Sequence, residues 1–96
     1  MEHEIMACKQ GDFEAEKRML QKFMPLLTSM ARKRSSEPAV INTCIDAGKL
    51  GLKKAIQKYK PSVGADKFRI FAVDFIEKSI DNQLQGKKGF FARFFG

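Results

Sequence analysis

The chain has no tryptophan, one tyrosine, one histidine, two cysteines and three prolines in 96 residues. The single His3 has only Glu2 and Glu4 beside it. No His–Cys or His–carboxylate cluster is therefore available to hold a metal or to activate a nucleophile, and His3 reads as a surface residue. Cys8 and Cys44 have no CxxC spacing, which argues against a zinc site. They read as small buried apolar residues in a reducing cytoplasm, with a Cys8–Cys44 disulfide as the alternative. No apolar run approaches the roughly 18–20 residues that a membrane span needs. The segment Met1-Glu2-His3-Glu4 does not open like a signal peptide. Neither GxxxxGK[ST] nor GxGxxG occurs, so no nucleotide or other cofactor is expected. Acid pairs such as Asp74 with Glu77, or Glu77 with Asp81, fall at helical spacing and read as solvated side chains. The expectation is a protein that is not an enzyme.

What is present is charge. Eighteen Lys and Arg stand against eleven Asp and Glu, a formal net charge of +7. A chain of this length makes one small domain, which buries roughly 60–65% of its unfolded surface. A positive excess bears on partners and solubility rather than on fold, and points to nucleic acid, an acidic protein face or an anionic membrane. A solvated surface with no partner is the alternative. The charge is unevenly spread. Residues 1–20 are net −2, residues 49–69 are net +6, and residues 70–86 are net −2. Smaller basic clusters are Arg32-Lys33-Arg34 and Lys87-Lys88 with Arg93. Such polarity favours a binding face.

The apolar periodicity predicts helix throughout, and no stretch alternates with period two for long enough to be a strand. A short helix is expected over Glu2–Lys9, turning Ile5, Met6 and Cys8 or Ala7 inward. Gly11 suits its end and Asp12 the N-cap of the next helix, which runs from Phe13 to about Arg34. Its expected inner face is Leu20, Phe23, Met24, Leu27, Met30 and Ala31. Pro25 lies within it and is expected to kink or split it near Phe23. Ser35-Ser36-Glu37-Pro38 reads as a loop and helix start. A third helix follows, with Ile41, Cys44, Ile45, Gly48, Leu52, Ala55, Ile56 and Tyr59 on one face. Gly48 and Gly51 each cost about 1 kcal/mol relative to Ala, and Gly48 is expected to sit where another helix approaches closely. Pro61-Ser62-Val63-Gly64 ends this segment. The last long helix is expected from about Asp66 to about Gln85, with Phe68, Phe71, Ala72, Phe75, Ile76, Ile80 and Leu84 as its stripe. The fold class is therefore all-α, a small bundle of about four helices.

On the third helix Asn42, Asp46, Lys49, Lys53, Gln57 and Lys60 line a polar face opposite the apolar one, and Lys54 and Lys58 form a ridge beside it. Such a face can track phosphates or meet an acidic protein surface. A solvated helix face is the alternative.

The stretch Gly48-Lys49-Leu50-Gly51-Leu52-Lys53-Lys54-Ala55-Ile56-Gln57-Lys58-Tyr59-Lys60-Pro61-Ser62-Val63-Gly64, followed by Phe68-Arg69-Ile70-Phe71-Ala72 and Phe75-Ile76-Glu77-Lys78-Ser79-Ile80, resembles region 2 of bacterial sigma-70 family factors. That region carries the pattern G-x-x-G-L-x-K-A-x-x-K-[FY]-x-P-x-x-G and then F-x-x-[YF]-A-x-x-[WF]-I-x-x-x-I. Ala7, Gly11-Asp12, Leu20, Phe23, Pro25, Leu26-Leu27 and Ala31-Arg32-Lys33 are similar to the first two helices of the same domain. The likeness spans most of the chain, from Ile5 to Leu84. It implies an all-helical bundle in which one face of the G-x-x-G-L helix binds the clamp helices of RNA polymerase, and the last helix reads and helps melt the promoter's upstream hexamer. On that basis Asn42, Asp46, Lys49, Lys53 and Gln57 are expected to bind polymerase or another partner. Lys54, Lys58, Lys60, Lys67, Arg69 and Lys78 are expected to bind nucleic acid. The family pattern D-L-x-Q-E before the first glycine is here Thr43-Cys44-Ile45-Asp46-Ala47. The melting helix, which often carries two tryptophans and then I-R-Q, is here Asp74-Phe75-Ile76-Glu77-Lys78. One extra residue falls in the turn near Ala65-Asp66, and the family's promoter-reading helix-turn-helix domain has no counterpart in these residues.

The resemblance divides the chain into a region-2-like helical domain, 1–86, and a basic, aromatic tail, 87–96. The tail places Phe90, Phe91, Phe94 and Phe95 around Arg93. As a helix it would be amphipathic, suited to a membrane interface or a partner's groove; folding back to cap the bundle, or self-association, are the alternatives. Three functional expectations follow. The first is a stand-alone sigma-like protein acting in transcription initiation or its regulation by binding RNA polymerase, DNA or both. The second is a sigma-mimic adaptor for a sigma-regulating protein. The third is a peripheral membrane or scaffold protein held by its tail.

Overall fold

The computed structural model describes the backbone of residues 1–95 and the side chains of residues 1–85. Four α-helices follow one another: α1 (Glu2–Lys9), α2 (Phe13–Arg34), α3 (Pro38–Lys58) and α4 (Phe68–Phe95), with a 3-10 turn at Ala65–Lys67. No strand occurs among the described residues. The protein is an all-α bundle.

Local chemistry sets the boundaries. Gly11, at φ 90°, takes the left-handed conformation between α1 and α2. The Asp12 carboxylate then accepts from the backbone N–H groups of Glu14 (3.0 Å) and Ala15 (3.2 Å), an N-cap for α2. Pro38 occupies the first turn of α3, where its missing N–H leaves no bond unmade. Gly64, at φ 87°, turns the chain into α4. The last helix begins at Phe68 rather than near Asp66, because Ala65–Lys67 winds as the tighter 3-10 turn. It also continues past Gln85 to Phe95. Gly86 and Gly89 weaken a helix by about 1 kcal/mol each but lack the steric block of proline.

Pro25 neither splits nor ends α2, which is one helix across it. The residue lies on the exposed side, as does Gln21 one turn earlier. The Gln21 carbonyl, deprived of its helical donor, can bond to water instead.

The core is built from residues four apart. Ala15, Met19, Phe23, Leu27 and Ala31 on α2 are buried, and so are Phe68, Ala72, Ile76 and Ile80 on α4. Such rows form the ridges by which helices interlock. The α2 seam is thus displaced from the expected one: Ala15 and Met19 are buried, while Leu20, Met24 and Met30 flank the seam half-buried. On α1 only Ile5 is buried. Met6, Ala7 and Cys8 are half-buried.

Helices α3 and α4 run antiparallel. Tyr59 meets Phe68, Gly51 meets Ile76, and Ala47 meets Ser79, whose hydroxyl donates to the Ala47 carbonyl at 2.7 Å. Both glycines sit where other helices approach closely, Gly48 against side chains of α2 and α4 and Gly51 against the α4 backbone itself. A Cβ on Gly51 would lie 2.7 Å from Ile76 Cα and 2.7 Å from the Phe75 carbonyl oxygen. A Cβ on Gly48 would instead meet the tip of a side chain, Leu27 Cδ2 at 2.8 Å. Helix α2 lies across both, its Phe23 ring edge-on to Phe68 at 5.8 Å. Helix α1 closes the end of the bundle: Lys9 Nζ donates to the Tyr59 carbonyl at 2.7 Å, past the last turn of α3. Cys8 and Cys44 form no disulfide.

Candidate interaction surface

The apolar side of α3 is consumed by the core, so its opposite side faces out. Asn42, Asp46, Lys53, Lys54, Gln57 and Lys58 are exposed and Lys49 is half-exposed. Asn42, Asp46, Lys49, Lys53 and Gln57 recur at steps of three and four and form one ridge, as their spacing dictates. Two of its lysines lean on carboxylates. Lys49 lies 3.9 Å from Asp46 on the same helix, and Lys53 lies 3.8 Å from Glu16 on α2. Both pairs are solvent-exposed and contribute little to stability.

The six residues expected to bind nucleic acid do not line one groove. Lys54 and Lys58 line a groove of about 340 Å³ together with Leu50, Lys53, Gln57 and Phe75. Arg69 lines a different groove, of about 330 Å³, with Met1, Lys22, Phe23, Pro25 and Leu26. Lys60 and Lys67 are exposed on the connection between α3 and α4. Lys78 projects from α4 and pairs with Asp74 one turn back at 3.0 Å. Tertiary packing divides the group because Arg69 and Phe75 lie on different sides of α4. The acids of α4 are likewise engaged separately: Asp74 by Lys78, Asp81 by Arg34 of α2, which its carboxylate holds above the usual guanidinium value. Glu77 is exposed.

Sequence reasoning passed over Leu50. It is 60% exposed, and it lines both the Lys54–Lys58 groove and a second, smaller one with Glu16, Leu20, Lys49 and Ile56. The signal was present: a large aliphatic residue off the apolar seam, on a face otherwise carrying lysines and amides. Phe75 belongs to the apolar stripe of α4, yet it is only half-buried and also lines the groove. Ala47, which stands where the family pattern places Glu, is buried at 4% exposure against α4. Only Asp46 of that pair of positions reaches solvent.

Among the described residues no group of three or more His, Cys, Asp or Glu side chains is placed to hold a metal ion, and no helix is long and apolar enough to cross a membrane. Burial pushes the Cys8 thiol above its usual range, with Glu16 and Asp12 acting in the same direction. The thiol is held protonated at neutral pH. Phe90, Phe91, Phe94 and Phe95 lie outside the residues whose side chains are described.

No protein-family model matches the chain, and no solved structure matches it. Among curated proteins it is similar to the RNA polymerase sigma factor SigA4 of Synechococcus elongatus, with 31% identity over 81 residues. The match takes in 84% of this chain and 26% of that protein, so the chain spans about a quarter of the length of the relative. The likeness supports a sigma-70-like relationship at the level of the family.

Proposed function

We propose that the chain is a sigma-like domain acting in transcription initiation or its regulation, and that it binds RNA polymerase, DNA or both through the outer face of α3. The observation that carries this reading is the likeness to a sigma factor over 81 of 96 residues. A match of that length within this chain takes in the whole of α3 (Pro38–Lys58), whichever end it begins from. The role is one of binding rather than catalysis. Asn42, Asp46, Lys49, Lys53 and Gln57 are the polymerase-facing residues in this reading. Lys54, Lys58, Lys60, Lys67, Arg69 and Lys78 are the nucleic-acid contacts. The test is retention of purified RNA polymerase, and retardation of duplex and single-stranded DNA, by the parent and by Lys49→Glu/Lys53→Glu/Lys54→Glu. Loss of retention in the triple variant is expected, with DNA retardation falling steeply as salt rises. Absence of both partners at low salt in the parent refutes the reading.

One set of residues favours a second reading, an adaptor that keeps the fold and binds a regulatory protein in place of DNA. Asp74 and Glu77 are exposed on the helix that meets the promoter in the resembled family, and carboxylates there repel phosphate. This reading expects a discrete protein partner to be retained while DNA stays free.

A further inference from the structure

The groove between α3 and α4 has a composition that identifies its occupant more narrowly. Its apolar surface comes from Leu50, 60% exposed, and from Phe75. Its rim holds Lys53, Lys54 and Lys58, with Gln57 between them, and no carboxylate lines it. Lys54 and Lys58 enter no ion pair among the described residues, and Lys53 has only the long contact to Glu16. Asp74, next to Phe75 on α4, pairs with Lys78 at 3.0 Å. Apolar surface bordered by lysines of α3, two of them in no ion pair, is complementary to an apolar ridge flanked by carboxylates. We infer that this groove docks an acidic amphipathic helix of a protein partner. The helix would seat aliphatic side chains on Leu50 and Phe75 and set Asp or Glu against Lys53, Lys54 and Lys58.

Nucleic acid fits the floor less well. A stacked base needs an open aromatic face. The Phe75 ring instead packs against Phe71, centroids 5.1 Å apart and planes inclined at 57°, and the rest of the floor is the branched side chain of Leu50. The inference rests on the reading of α3 as the binding helix, and it assigns Lys54 and Lys58 to a protein partner in place of nucleic acid.

The probe is a fluorescein-labelled 18-residue peptide of Leu and Glu with leucines at helical spacing. Its control is a permuted peptide of equal composition and charge that lacks the spacing. Binding to the full chain is followed by fluorescence anisotropy at low salt. The patterned peptide should bind at least about tenfold more tightly than the permuted one. Leu50→Ser and Lys54→Gln/Lys58→Gln should each weaken it about tenfold. Leu50 and both lysines are exposed, so unchanged helicity by circular dichroism accompanies that result. Equal binding of the two peptides overturns the inference, as does indifference to Leu50→Ser. So does preference for a single-stranded oligonucleotide that depends on Lys54 and Lys58 but not on Leu50. Polymerase retention without peptide binding overturns this inference and leaves the transcription reading standing. Peptide binding with neither polymerase nor DNA retained supports it and removes that reading.

Discussion

Replacing Gly51 with alanine tests how the binding helix is seated. The added Cβ would lie 2.7 Å from Ile76 Cα, 2.7 Å from the Phe75 carbonyl oxygen and 3.0 Å from the Ile76 nitrogen. Carbon contacts relax at about 3.5–4.0 Å, so the deficit approaches 1 Å. All three atoms belong to the α4 backbone and cannot rotate away; the two helices must part. Overpacking of this kind costs about 1–3 kcal/mol, while alanine for glycine within a helix returns about 1 kcal/mol. The net expectation is a loss centred near about 1 kcal/mol, with about 2 kcal/mol as its upper end. Gly48→Ala supplies the contrast, because the tightest atom it meets is the Leu27 Cδ2 tip at 2.8 Å, which a side-chain rotation can move. Helix propensity then offsets most of the strain, and Gly48→Ala should lie within about 1 kcal/mol of the parent. Urea unfolding followed by circular dichroism reads both. At an m-value of about 2 kcal/mol/M, Gly51→Ala lowers the midpoint by about 0.5 M. A Gly51→Ala midpoint equal to or above the parent's, or a larger loss from Gly48→Ala, refutes the packing argument. Since Phe75 is both the backbone beneath Gly51 and a wall of the α3–α4 groove, Gly51→Ala should also weaken binding in that groove.

Three further expectations concern separate features. Asp12→Ala removes the side chain that accepts from the Glu14 and Ala15 N–H groups, and should destabilise the chain by about 1 kcal/mol in the same unfolding assay. Lys22, which donates to both oxygens of Glu4 at 2.9 and 3.0 Å, holds that carboxyl below its usual range. The stability it lends is fully present above the ordinary carboxylate value of about 4.3 and is lost as pH falls through the lowered folded value. Melting temperature should therefore fall less steeply on the acid side in Glu4→Gln than in the parent; parallel curves contradict the assignment. The Cys8 thiol, raised by burial, should be alkylated by iodoacetamide at pH 7 more slowly in the folded chain than in urea. Equal rates in the two states would show that its half-buried position gives no protection.

The four helices were legible in the sequence because their signals are local. Gly11-Asp12, Pro38 and Gly64 mark the ends through backbone sterics and side-chain capping, which act within a few residues. The three- and four-residue recurrence of apolar positions identifies each inner face. The outward direction of Asn42, Asp46, Lys49, Lys53 and Gln57 followed from the same arithmetic. The limits of local reading show at Pro25, where proline sterics allow a split and α2 runs on as one helix. They show again at the α2 seam, where periodicity gives a broad face and only the neighbouring helices decide that Met19 is covered and Leu20 half-covered.

By itself, then, this sequence determined an all-α chain, a basic outward face on α3 and a likeness to a sigma factor that the comparison supports. Tertiary structure decided which residues act together. Lys54 and Lys58 on α3 join Phe75 of α4, more than fifteen residues away in sequence, around the exposed Leu50. Arg69, only six residues before Phe75, is carried into another groove beside Lys22. The separation arises because consecutive helical residues diverge by about 100° around the axis, whereas Gly51 lets α3 rest on the backbone of α4. The groove exists because two helices meet at that distance, and no periodicity within either helix encodes a distance between them.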